Sequence, residues 1–380
     1  MLKTAYNFLK YDKPKSIGVI IGIVICIFLI GQQIGILTFL MGLMGGLIEN
    51  SDTGKSQIWI VDKITINVNE LAKLDESLVR EVRSIEGVKT AFPFVLTGAI
   101  ASFSNGKTAP VNIIGSDPPD FIAGPKPEKI EKGSIYDLVQ DNAISADFFD
   151  ASTFANPTDI GTELEINGKK AFIKLQTRDA RGFGGSYFYT TLSKARSYGN
   201  FPEDKVSAIA VGIEDGYTAD QVRDKINNTF PSIRAWKTED LKSSTVKFIV
   251  ASSNIGTSIG SLVVFAIISG FFIIGLTLYS SAIDRIRDYG TLKAMGATNG
   301  YITRLILTQS FITATVGFLI AWFLLIGFQK GVANAGLLFR LSPILLISLY
   351  LPTIIISTGS ALFFSIRTIG NVEPASVFRN

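Results

Sequence analysis

The chain has 380 residues, 47% of them hydrophobic, a formal charge of +4 and a mean hydropathy of +0.35, which is more apolar than a soluble core of this length requires. It contains no histidine and one cysteine, Cys26, which excludes imidazole acid-base catalysis, Ser/His and Cys/His nucleophiles, Cys/His metal sites and an internal disulfide. The positive charge collects beside apolar stretches, so it is a membrane-topology signal and no argument for nucleic-acid binding.

Residues 1–15, MLKTAYNFLKYDKPK, put Leu2, Tyr6 and Leu9 near one helical face, flanked by Lys3, Lys10 and Lys13. That pattern predicts a short helix lying against membrane lipids and stopped by Pro14. Four windows contain no Asp, Glu, Lys or Arg: 16–48, 248–283, 305–329 and 341–366. Each exceeds the ~20 residues that cross a hydrocarbon core of ~30 Å at 1.5 Å per residue. The first is too long for a secretory h-region and lacks a small-residue cleavage site, so it reads as a retained anchor. As a straight helix it would overshoot the hydrocarbon by ~20 Å, which predicts tilt or a stalk.

Glycines in this first window fall four apart at Gly18/Gly22, Gly31/Gly35 and Gly42/Gly46, and Gly256/Gly260 follow in the second. Small residues at this spacing let helices approach closely. One use is packing within the chain; the other is a homodimer interface at Gly31, Gly35, Gly256 and Gly260.

Lysines 3, 10, 13 and 15, then Arg285, Arg287, Lys293 and Arg304, then Arg367 and Arg379 flank the windows on one side. The bias predicts a multi-pass protein of the cell (inner) membrane with N and C termini in the cytoplasm, against which only Lys330 and Arg340 count. Three regions result: 1–48, the amphipathic helix and first span; 49–254, outside the membrane with 24 basic and 28 acidic residues; and 255–380, three more spans.

The outer region reads as α+β. QIWIVDKITINV (57–68) is strand-like, DESLVREVRSIEGV (75–88) has helical periodicity ending at Gly87, and TAFPFVLTGAIASF (90–103) returns to strand composition. A second β-α-β unit follows at 206–213, 218–230 and 232–237, which implies an insertion between the halves, from about Asp117 to Glu203. Inside it, GTELEINGKKAFIKLQT (161–177) predicts a hairpin turning at Asn167-Gly168. DTGKS (52–56) ends like a phosphate-binding loop, but Glu49 stands where the pattern needs glycine, so a polar turn is expected. RGFGGSYFYTT (181–191) is expected to be a flexible loop entering a strand. Asp147, Asp150 and Asp159 lie scattered in a region expected to be solvated and define no catalytic pair.

Between the second and third windows lies DRIRDYGTLKAMGATNGYITR, 284–304. GTLKAMGAT predicts a short helix bounded by Gly290 and Gly296, with Leu292 and Met295 on one face as an apolar ridge and Arg285, Arg287 and Lys293 beside it. Such an element suits docking of a cytoplasmic partner. The spans hold no ionisable residue at mid-depth, which favours an external energy source over ion-coupled transport.

RIRDYGTLKAMGATNGYI (285–302) resembles the signature of FtsX-like, MacB-type ABC transporter permeases, in particular the cyanobacterial DevC branch of export permeases. The resemblance extends over the whole chain, through EVRSIEGVKTAFPF, VNIIGSDPPDF and GTELEINGKKAFI to the tail VEPASVFRN, with its pattern around Pro374 and Arg379; Asp288 stands where many relatives have Glu. It implies a non-catalytic subunit without a cofactor, four transmembrane helices carrying a two-subdomain outer α+β domain, and a homodimer. A separate cytoplasmic ABC ATPase would bind the ATP. The coupling helix against that ATPase would fall on Arg285, Arg287, Asp288, Tyr289, Gly290, Thr291, Leu292, Lys293, Ala294, Met295, Gly296, Ala297 and Thr298. It further implies a periplasmic adaptor (membrane fusion) protein, an outer-membrane channel and efflux of a lipid, glycolipid or amphiphilic compound. Lipoprotein extraction, or signalling to an outer cell-wall hydrolase, are the alternatives.

Overall fold

A computed structural model describes residues 2–11, 13–284, 286–339 and 341–370. They form two compact units, a helical one built from residues up to Phe39 and from Ile255 onward, and an α+β one, Leu40–Asn254.

The chain opens with α1 (Leu2–Tyr11) and the long α2 (Lys13–Met44). The α+β unit takes in the end of α2 and then α3 (Gly46–Asn50), β1 (Ile58–Asp62), β2 (Leu74–Asp75), α4 (Leu78–Arg83), β3 (Val88–Phe103), β4 (Thr108–Gly115), β5 (Ile130–Lys132) and β6 (Ala143–Asp147). It continues through α5 (Asp150–Phe154), β7 (Glu163–Ile166), β8 (Lys169–Thr177), β9 (Ser186–Thr190), α6 (Leu192–Gly199), β10 (Lys205–Val206), β11 (Ala208–Ile213), α7 (Ala219–Thr229), β12 (Ile233–Lys237) and α8 (Thr238–Ser252). The helical unit resumes with α9 (Ile255–Asp284), α10 (Ile286–Ala294), α11 (Asn299–Ala333) and α12 (Pro343–Gly370). Among the described residues four stretches are long and apolar enough to cross a membrane: Ser16–Met44, Ile255–Thr277, Asn299–Ala333 and Pro343–Phe363. The fold is therefore the one the sequence implies, four such helices with a large α+β domain between the first and second.

In the helical unit, α2 uses its glycines to meet its neighbours. A Cβ on Gly22 would lie 2.6 Å from Ile273 of α9, and one on Gly31 would lie 2.6 Å from Leu325 of α11. The two positions are nine residues apart, about two and a half helical turns, so they face opposite sides. Gly270 of α9 and Gly317 of α11 return the contact against Cys26 and Ile23. Ile23, Ile27, Leu305, Leu325 and Leu349 fill the core between them.

α1 differs from expectation in the face it buries. Ala5 is fully buried and Leu9 partly so, while Tyr6 is 58% exposed; the Leu2 side chain lies outside what is described. The helix ends at Tyr11, and Pro14 does not stop it but sits in the first turn of α2, where its missing N–H costs no helical bond.

The α+β unit carries the two β-α-β halves as one antiparallel set, β12-β1-β11-β3, the order of a split β-α-β arrangement. α4 buries Val79 and Val82, three apart, and α7 buries Val222 and Ile226, four apart, so each lays one apolar stripe against the strands. A capping box at Thr218 and Gln221 starts α7. The insertion begins earlier than Asp117: β3 is 16 residues long, pairing β11 through Val88–Phe94 and β4 and β7 through Val95–Phe103. One strand thus belongs to both subdomains. β7 and β8 form the expected hairpin, with Asn167 and Gly168 at φ +48° and +75°, the values a type I′ turn requires.

Candidate functional site

α10 is a two-turn helix whose C-terminal end is closely specified. Gly296 has φ +95°, its N–H donates to Lys293 O at 2.9 Å, and Ala297 N–H donates to Leu292 O at 2.9 Å. These two bonds make a Schellman motif and satisfy the carbonyls that a helix end leaves open. Thr298 then caps α11, its hydroxyl accepting from Tyr301 N–H at 3.3 Å. The chain between the two long helices is a short helix, a locked reversal and an immediate restart.

The structure divides the predicted docking residues into two sets. Arg287, Asp288, Thr291, Ala294, Met295, Gly296 and Thr298 are exposed; Tyr289 and Gly290 are buried, and Leu292, Lys293 and Ala297 are partly buried. Arg285 lies outside the described residues, as does the tail pattern at Pro374 and Arg379. The exposed set pairs one cation, Arg287, and one carboxylate, Asp288, with small groups and a single thioether, Met295, which is 72% exposed. Two expectations are corrected. Gly290 does not bound the helix but lies inside it, and Leu292 does not share an outward ridge with Met295. Leu292 is partly buried and packs against the core of the helical unit, to which Tyr289, Ile302 and Leu305 belong. The i, i+3 rule fails because Met295 follows the last helical residue, Ala294, so helical phase no longer sets its direction.

Of the glycines considered for a homodimer, Gly31 and Gly35 are occupied from within: a Cβ would meet Leu325 at 2.6 Å and the Phe339 ring at 2.7 Å. Gly260 meets nothing within 4 Å and Gly256 is partly open, so this pair on α9 remains available.

A second feature is absent from the sequence reading. Asp147 is fully buried at the end of β6 and accepts from Ala180 N–H at 2.9 Å, Phe149 N–H at 3.1 Å and the Thr177 hydroxyl at 3.1 Å. Asp150 at the start of α5 is 4% exposed and its Oδ2 has no hydrogen-bond partner. The Arg181 guanidinium approaches Asp147 Oδ1 at 3.9 Å, and Asp179, Lys129 and Asn50 complete the surroundings. Burial raises both carboxyl pKa values, and Asp150, also repelled by Asp147, is pushed up to about 7. The expected solvation of these carboxylates does not hold; only Asp159 is exposed. The neighbouring residues give no signal of this burial, since Phe148 between the two is 41% exposed and Phe149 is only partly buried. Among the described residues no group of His, Cys, Asp and Glu could hold a metal.

The arrangement defines a class: a multi-pass membrane protein with four candidate spans, a large α+β domain after the first and a structured reversal between the second and third. Residues 260–374 match the model of the FtsX-like permease C-terminal family, a match that contains α10 and its Schellman turn. No curated protein matches the chain. Among solved structures it is similar to the periplasmic region of MacB from Actinobacillus actinomycetemcomitans, at 14% identity over 51% of this chain and 95% of that one, with a TM-score of 0.38. It is also similar to the extracellular domain of the noncanonic ABC-type transporter YknZ from Gram-positive bacteria, at 13% identity over 47% and 98% of the two chains, with a TM-score of 0.34.

Proposed function

We propose that the chain is the membrane-spanning, non-catalytic subunit of an ABC export system and that α10 docks on a separate cytoplasmic ATPase, which binds the ATP. The observation that carries this is the locked turn with its open polar face, placed inside the segment that matches the FtsX-like permease model. Permeases of that family pair with ABC ATPases. The candidate spans support an external energy source, because only Arg304 and Lys330, toward the ends of Asn299–Ala333, are charged. In this reading both termini and α10 face the cytoplasm, and the α+β unit stands outside with an adaptor protein and an outer-membrane channel as further partners. The cargo is a lipid, glycolipid or other amphiphile, as in the DevC branch.

Met295 and Arg287 carry the test, since both stand on the open face of α10. The double variant Met295→Asp, Arg287→Glu is expected to lose co-purification with the ATPase at least tenfold while the chain still inserts and elutes as the wild type. Retention equal to wild type would remove α10 from the interface. Leu292→Asp is unsuitable, because it places a charge in the helical core.

A further inference from the structure

We propose that α12 is a latched hinge: a hydrogen-bonded seam against α11 holds its middle in place, and opening that seam lets it bow at Pro352 into the cavity between α2 and α9.

The seam runs along the α11–α12 hairpin. The hydroxyls of Ser310 and Ser357 bond at 2.8 Å, and both residues are fully buried. The Thr315 and Tyr350 hydroxyls bond at 3.2 Å, and the Phe318 ring stands edge-on to that of Tyr350 with centroids 4.9 Å apart. Near the turn of the hairpin, Gln329 Nε2 donates to Phe339 O at 2.7 Å. Lipid tails replace apolar contacts between helices about equally well, but they offer a hydroxyl no partner, so these bonds are what holds the pair in register.

The weak point of α12 lies between two of these bonds. Pro352 stands inside the helix, has no N–H for Ser348 O, and crowds that carbonyl with its ring, which opens the helix on the proline side. Tyr350 and Ser357 are about two turns apart and share one side of α12, whereas Pro352 lies about 200° round from Tyr350. The seam therefore restrains the side opposite the one that the proline opens. On the proline side a cavity of about 170 Å³ is walled by Ile23 and Ile27 of α2, Val263 and Ile267 of α9, and Pro352 and Thr353 of α12 itself. Pro352 is exposed, so the bow has room, and it ends with the proline packed on apolar side chains of two other helices. A seam on one side and a cavity on the other give the helix two discrete positions. Ser310 belongs to the helix that Thr298 starts directly after the α10 turn, so a pull on α10 acts on the seam through α11. That last step alone rests on the ATPase reading.

Double electron–electron resonance on the full chain in lipid nanodiscs, in a Cys26→Ser background, tests the hinge without any partner. Spin labels on Phe311→Cys and Ile355→Cys, both exposed positions, report the middle of the hairpin; labels on Phe323→Cys and Ile344→Cys report its turn end. Ser310→Ala with Ser357→Ala is expected to add a second population at the middle pair, longer by about 2 Å or more, and to leave the end pair unchanged. Ser357→Ala alone breaks the same bond should the double variant fail to insert. Pro352→Ala removes the weak point and Val263→Phe fills the cavity, so each should abolish the longer population. A middle pair unmoved by loss of the hydroxyls, or a longer population that survives Pro352→Ala, would overturn the proposal. With the seam intact, the ATPase and ATP should produce the same longer population; bound ATPase that leaves the distance unchanged would overturn the hinge as part of the cycle. A serine variant that bows in a chain that retains no ATPase would leave the hinge standing and remove the docking reading.

Discussion

Asp150 and Asp147 share one buried pocket, yet only Asp147 is well supplied with donors. The folded protein therefore binds a proton at Asp150 more readily than the unfolded chain does, with a pKa of about 7 against an ordinary 3.8. A raised carboxyl pKa contributes stability that is complete below the unfolded value and is lost as pH climbs through the folded one. The α+β unit should accordingly melt at a lower temperature at pH 8 than at pH 5.5. Asp150→Asn mimics the protonated form, so it should raise the midpoint at pH 8 and flatten the profile between these values. Calorimetry of the full chain at the two pH values checks both, and a wild-type midpoint that does not fall toward pH 8 would show that Asp150 is already compensated. Lys129 carries the opposite burden, since burial lowers its pKa, but Asp179 and Asn50 hold its ammonium group. No spacing rule finds this cluster: Arg181 lies 31 residues beyond Asp150, and β8 and β9 bring them together.

At the scale of elements, what was legible in the sequence depended on how local its cause is. Asn167-Gly168 declares its turn because the φ values it needs are written in two residues. Both β-α-β halves are legible for the same reason, in periods of two and about 3.6 residues. The reach of β3 into both subdomains is not, because alternation says a strand continues and says nothing about which partner it changes to at Val95. α10 mixes the two cases. Its C-terminal stop was readable from Gly296, whereas the inward turn of Leu292 depends on the core of the helical unit that it packs against. The glycine itself is testable: at φ +95° a branched residue should cost about 1–2 kcal/mol. Gly296→Val is therefore expected to weaken ATPase retention about tenfold. Gly300→Ala, at an exposed position in the first turn of α11, should leave retention unchanged. Equal retention by both variants would mean that the Schellman turn is not needed for docking.

At the scale of the molecule, four glycines suggested a dimer, and the fold separates them into different uses. Gly31 and Gly35 bring α2 against Leu325 and Phe339 of the same chain, so a second copy has no room there. Gly256 and Gly260 lie on α9, whose apolar window is 22% buried against 39% for that of α2. Exposure alone does not distinguish a protein partner from lipid, since both are apolar. The missing side chains do: a lipid tail gains nothing from a bare backbone, whereas another helix can approach it closely enough to pack. We therefore propose a homodimer that closes through α9, with Gly260 near the axis. Cys26 donates its thiol to Ala266 O at 3.4 Å, a contact that Cys26→Ser preserves, so it gives a cysteine-free background. In it, Gly260→Cys should form a disulfide dimer in membranes on mild oxidation, and the yield should not change when the chain is diluted with lipid. Gly35→Cys should stay monomeric, because its side chain would lie against Phe339. If Gly35→Cys crosslinks and Gly260→Cys does not, then α2 must part from α11 and α12 in the assembled protein, and the interface lies on the other face.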